Sequence, residues 1–443
     1  MKSFILFFVY WGLFFQTSKI FAATSVKQVD AGNNHVCALL MTGEVKCWGG
    51  NQTGALGAGD NKPRGDRVAD MGARLLPVDL GTTERVVSLN VNSFQSCALF
   101  EEGRMKCWGD NRFGQLGLGD VISRGDALGE MGKNLPFIDL GTNQKILSVS
   151  VGGNHACAIL DGYRLKCWGR NSDGQLGLGD NLNRGIEPNQ MGDQLPYVNL
   201  GTDEKALRVQ AGDLHTCVLL LSGKVKCFGR NNIGQLGLGD TQPRGLLPGQ
   251  MGDNLPVVQL GTALKAINLF LSSSHTCVLL ENKKIKCWGN NNGGQLGLGD
   301  TQNRGDTAEE MGDALPFVNL GSGEMVVGLS LNGNQGCAQL INNTLKCWGN
   351  NNFGQLGIGN NLTKGDEADE MGGYLQTVYV GSRKNVVSSS VGTQFACAVI
   401  GNPVENGVKC WGRNILGQLG IENDKTIGLT MEELGDNLGF VAL

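Results

Sequence analysis

Cysteines at positions 37, 97, 157, 217, 277, 337 and 397 recur at a spacing of sixty residues. Each is followed by a second one, giving Cys37/Cys47, Cys97/Cys107, Cys157/Cys167, Cys217/Cys227, Cys277/Cys287, Cys337/Cys347 and Cys397/Cys410. Only the last interval differs, through a three-residue insertion in the segment from Gly401 to Asn406. Self-similarity at a fixed period is the signature of a repeat architecture, in which no unit buries its apolar faces alone.

Within a unit the apolar residues alternate, as in Leu147 to Val151, and tight turns such as Asp161-Gly162 separate the runs. A Gly-rich loop follows, Gly169 to Asp180, and the unit closes through Leu195-Pro196 to Leu200. Period-two stretches divided by glycine turns predict short antiparallel strands. The 69 glycines of the 443 residues suit this and disfavour helix. The expected fold is an all-β, seven-bladed β-propeller with four short antiparallel strands per blade. The units run near 24–83, 84–143, 144–203, 204–263, 264–323, 324–383 and 384–443, as one domain over 24–443. Leu443 matches Leu80, Leu140, Leu200, Leu260 and Leu320, so residues 26–32 should lie beside 438–443 and seal the ring.

Residues 1–23 have the layout of a secretory signal peptide: Lys2, an apolar run from Phe4 to Phe15, then small residues at Ala22 and Ala23. A secreted location follows as an expectation, either extracellular or in the periplasm and envelope. In that setting the fourteen cysteines should be disulfide-bonded. If Leu40 faces Glu44 across a turn, Cys37 faces Cys47, and directly opposed residues have a Cα separation that a disulfide can span. Seven bridges, one inside each blade, are expected. The Cys-x9-Cys spacing is poor for zinc, so no metal is expected.

The formal charge of −4 is dispersed, giving no electrostatic reason to bind nucleic acid. No mature segment is apolar enough to span a membrane. His35, His155, His215 and His275 recur one per unit, with Gln95, Gln335 or Phe395 elsewhere, which points to a structural role. The same holds for Trp48, Trp108, Trp168, Trp288, Trp348 and Trp411, and for loop pairs such as Asp60/Arg64. Three Arg-Gly-Asp triplets share those arginines, so adhesion is disfavoured. There is no nucleophile elbow, phosphate loop or metalloprotease motif. No catalytic residue and no cofactor are expected.

The unit Gly-x-x-His-x-Cys-Ala-Leu, then Gly-x-Val-Lys-Cys-Trp-Gly-x-Asn-x-x-Gly-Gln-Leu-Gly-x-Gly-Asp, seen in Gly32 to Asp60, resembles the repeat of the regulator-of-chromosome-condensation family. That resemblance implies seven blades and diverse functions. The family's founder is a nucleotide-exchange factor for a small GTPase, and a secreted bacterial relative inhibits β-lactamases by covering them with one face. The segments that hold the chromophore site of the family's plant ultraviolet receptors are not matched here. The expected function is a secreted, monomeric, non-enzymatic scaffold that binds an unknown secreted or cell-surface protein with one face. Alternatives are an exchange-factor-like regulator, a structural envelope protein, and a glycan-binding or enzymatic propeller. Function should lie where the units disagree, and the candidate contacts are Arg112, Phe113, Ile233, Phe353, Ile415 and Leu416.

Overall fold

The computed structural model describes residues 25–382, 384–402 and 406–443; the expected signal segment lies outside the described residues. Seven three-stranded antiparallel sheets follow one another, each built from three consecutive strands. In blade 1 these are Val26–Ala31, His35–Leu40 and Val45–Gly49; in blade 7, Val386–Val391, Phe395–Gly401 and Asn406–Gly412. The first strand of every blade lines a shared central cavity and is therefore the inner one. The middle strands are almost completely buried. Neighbouring sheets cover both of their faces.

The expectation of four strands per blade is corrected to three. The closing segment does run beside the third strand, but with one backbone bond per blade, such as Val198 N–H to the Leu165 carbonyl at 2.8 Å. Pro136, Pro196, Pro256 and Pro316 have no N–H to extend a ladder, and units one and seven, with Leu76 and Gly439 at that position, also make only the single bond. In unit six Gln376 stands at that position, and there an additional bridge joins Lys346 to Thr377.

The cysteines pair within blades: Cys37–Cys47, Cys97–Cys107, Cys157–Cys167, Cys217–Cys227, Cys277–Cys287, Cys337–Cys347 and Cys397–Cys410. Each bond joins directly opposed residues of the middle and outer strands.

Blades are tied to one another by side chains. The Trp168 indole donates to the Gln115 carbonyl of the preceding blade at 3.0 Å, and Trp48 donates likewise to Gln418 at 3.1 Å. A lysine in the outer strand of every blade but the first makes a second tie. The Lys166 ammonium donates to the Leu140 carbonyl of blade 2 at 2.9 Å and to the Gly192 carbonyl of its own blade at 2.8 Å. Lys106, Lys226, Lys286, Lys346 and Lys409 each bridge an equivalent pair of carbonyls.

Blades 1 and 7 meet without exchanging a strand. Val26 N–H donates to Asn406 Oδ1 at 2.7 Å, and Asn406 Nδ2 donates to the Val26 carbonyl at 3.1 Å. Gly72 N–H reaches the Ala442 carbonyl at 3.0 Å. One apolar cluster holds Val26, Trp48 and Met71 together with Trp411, Leu438 and Val441.

Candidate functional site

The repeated polar residues are absorbed by the scaffold. His155 Nε2 lies 2.8 Å from Thr216 Oγ1 in the next blade, and His35 and His215 meet Ser96 and Thr276 in the same way. Burial pushes these imidazoles down, His35 to about 4 and His155, His215 and His275 to about 3, so all four are neutral near pH 7. Where the next blade has no hydroxyl, as at Ala156 and Ala396, the unit carries Gln95 or Gln335, which donate to the Gly152 and Gly392 carbonyls. His275 is the exception: it faces a blade with Gly336 at the hydroxyl position, and among the described residues neither ring nitrogen has a hydrogen-bond partner.

The loop pairs are short ion pairs, 2.7 Å for Arg64–Asp60 and 2.6 Å for Arg124–Asp120. The Arg-Gly-Asp triplets are docked under the preceding blade. A Cβ on Gly54, whose φ is +77°, would stand 2.4 Å from Asp126 N, so this approach requires glycine.

The six candidate contact residues lie in equivalent loops and hence on one face. Arg112 is the most exposed, with 67% of its side chain accessible, and its guanidinium clasps the almost fully buried Asp110 at 2.9 Å. Ile415 is 53% exposed. Phe113, Ile233, Phe353 and Leu416 are half-buried. Two arginines that sequence reasoning missed cover two of these rings. The Arg170 guanidinium carbon lies 5.3 Å from the Phe113 centroid, and that of Arg413 lies 5.2 Å from Phe353. Arg230 belongs to the same row and pairs with Asp173 at 2.8 Å. The face therefore presents guanidinium groups and ring edges above carboxylates that sit lower, an arrangement rich in the residue types that dominate protein interfaces. The recurring signal was the residue just after the outer strand: Gly50, Asp110, Arg170, Arg230, Asn290, Asn350 and Arg413.

The central cavity is the second concave feature, about 360 Å³ in volume, with a largely polar wall. Among the described residues no group of three or more His, Cys, Asp or Glu is placed to hold a metal ion. No helix there is long and apolar enough to cross a membrane.

Two models described as the regulator of chromosome condensation (RCC1) repeat match the chain. One covers residues 26–55, 86–115, 146–175, 208–235 and 267–295, the other 102–159 and 165–219. The chain is 28% identical over 283 residues to the Ultraviolet-B receptor UVR8 of Arabidopsis thaliana, covering 63% of this chain and 56% of the receptor. It is 30% identical over 293 residues to the human Probable E3 ubiquitin-protein ligase HERC6, covering 65% of this chain and 26% of the ligase. It thus spans only about half, or a quarter, of these relatives' lengths. Human WBSCR16 shares the fold at 18% identity and a TM-score of 0.64, over 86% of this chain and 90% of that one. Yeast RCC1 (Prp20) bound to Kap60 shares it at 18% identity and 0.61, over 84% and 79%. Prp20p of Saccharomyces cerevisiae was also solved in work on its binding to Gsp1p and histones, and matches at 18% identity and 0.61, over 83% and 81%.

These comparisons correct two expectations, the secreted location and the secreted or cell-surface partner. The partners named for the solved proteins that share this fold are Kap60, Gsp1p and histones, none of them secreted or cell-surface proteins.

Proposed function

We propose that this chain, built from repeats of the regulator-of-chromosome-condensation family, is a protein-binding propeller scaffold whose working surface is the face carrying Arg112, Phe113, Arg170, Phe353 and Arg413. One observation carries the reading: guanidinium groups held over or beside aromatic rings, on loops that the blades fix in place. Loops ordered before contact lose little conformational freedom on binding. A standard interface of about 800 Å² per partner fits on a face of this kind. The test is hydrogen–deuterium exchange on the chain with a captured partner. Protection should concentrate in residues 110–113, 170–173, 350–353 and 413–416. Protection confined to the opposite hairpin turns, such as 161–164 and 221–224, would refute the assignment.

A second reading lies within the first. The likeness to Prp20, studied for its binding to Gsp1p, favours a regulator that acts on a small GTPase. Its test is acceleration of nucleotide release from a panel of small GTPases loaded with a fluorescent guanine nucleotide. No acceleration by the full chain at micromolar concentration would remove this reading and leave the scaffold.

A further inference from the structure

The inner strands place one side chain per blade in a single layer around the cavity, each opposite the first cysteine of its blade. Going round the ring they begin Asp30, Asn90, Ser150, Gln210 and Phe270, and end with two serines. Part of this layer knits the ring. Ser150 Oγ accepts the Ala211 N–H of the next blade at 3.0 Å. Asp30 does the same for Val91 N–H at 2.9 Å, and its other oxygen accepts from Ala31 N–H and Ser390 Oγ, both at 3.1 Å.

Three features of the layer exceed what knitting needs. Asp30 is its only charged member, and among the described residues no cation pairs with it. Lys27, the other charged group on the cavity wall, points its ammonium at the Val87 carbonyl, 2.7 Å away. Phe270, four blades further round the ring, packs against the core between blades 5 and 6 and also lines the cavity. The side-chain amides of Asn90 and Gln210 make no hydrogen bond within the described residues, and both line the cavity.

We propose that the central cavity binds a small organic cation, an alkylammonium compound held between the Asp30 carboxylate and the Phe270 ring, with the Asn90 and Gln210 amides as secondary contacts. A carboxylate without a counter-ion attracts a cation, and an aromatic ring on the same cavity wall would add a cation–π contact. The volume suits a ligand of several heavy atoms. An anion would meet the Asp30 charge.

The protonation of Asp30 gives the proposal an independent readout. Burial pushes its carboxyl up to about 7, against the pull of the three hydrogen bonds. Of the titratable groups on the elements packed against its strand, His35 on the middle strand is neutral near pH 7, and the Lys409 ammonium, on the outer strand of blade 7, is engaged by the Val380 and Gly435 carbonyls. The inner strands of blades 7 and 2 contribute only Ser, Asn and apolar side chains, and Cys37 is locked in its disulfide. A bound cation favours the ionised form, so binding at pH 7 should release about half a proton per site, and affinity should fall about tenfold from pH 8 to pH 6.

The experiment is isothermal titration calorimetry of the full chain with tetramethylammonium. Parallel runs at pH 7 in phosphate and Tris count the protons released, and neopentyl alcohol, which adds one hydroxyl to the same branched skeleton, serves as the neutral probe. The expected result is one saturable site, proton release, at least tenfold weaker binding in Asp30→Asn, and several-fold weaker binding in Phe270→Leu. Phe270→Leu keeps every hydrogen bond of the ring, so it decides the matter should Asp30→Asn fail to fold. No saturable heat up to millimolar concentration, equal binding of neopentyl alcohol, or unchanged affinity in Phe270→Leu would overturn the proposal.

Discussion

Replacing Lys166 by Met isolates what the buried lysines contribute. Lys166 is 1% exposed and its ammonium serves two carbonyls, Leu140 at 2.9 Å and Gly192 at 2.8 Å, 4.7 Å from the Tyr197 ring centroid. Methionine fills nearly the same volume, so the loss is electrostatic. Each carbonyl left without a donor costs about 1–3 kcal/mol. Against this, the substitution removes a buried charge whose desolvation weakens the wild-type protein. The net expectation is a loss of about 2–4 kcal/mol. Lys46 provides an internal control at the equivalent position of blade 1. It is only half-buried and makes one long bond, 3.4 Å to the Gly72 carbonyl. Lys46→Met should cost under about 1 kcal/mol, because water can reach the freed group. Urea unfolding followed by tryptophan fluorescence reads both variants. Equal losses, or a Lys166→Met variant as stable as wild type, would show that the ammonium does not hold the blades.

Four further outcomes are expected. Cys157→Ala with Cys167→Ala opens a ten-residue link and should cost about 2–3 kcal/mol by chain entropy, read by the same unfolding assay. Digestion without reductant should yield only within-blade pairs. The four histidines have folded pKa values below their unfolded value of 6.5, so the unfolded chain takes up protons that the folded chain refuses. Their contribution is full above about pH 6.5 and is lost as pH falls toward 3–4, and a thermal-melt series against pH should show this loss. His275→Gln should flatten that acid limb while leaving stability at pH 8 no lower, since the wild-type ring has no partner to lose.

How far the fold could be read in advance follows from where the units agree. The hairpin that brings Cys37 opposite Cys47 is set by period-two alternation and a short turn, and both are local. The fourth strand was over-read because an extended apolar run looks like a strand even where Pro196 leaves it a single ladder bond. The lysines were passed over because a Lys between Val45 and Cys47 reads as a solvent-facing strand position. Blades stacked on both faces turn that position inward. Asp30, Phe270 and their neighbours were hidden differently. They vary from unit to unit as the loops do, and only the radial arrangement gathers the inner strands into one layer. The contact candidates share the loops of one face, while Arg170 and Arg413 are not legible in the sequence because their place there depends on stacking over Phe113 and Phe353 from the following blade.

The scaffold reading stands on the arginine and aromatic face. Its most direct test is quantitative affinity capture with three versions of the full chain: wild type, Arg112→Glu with Arg170→Glu and Arg413→Glu, and a control reversing Lys224 and Lys284 on the opposite hairpin turns. The account expects a partner retained by wild type and the control and bound at least tenfold more weakly by the triple variant, with all three folded at the assay temperature. A partner held equally by the triple variant, or lost only by the control, would contradict it.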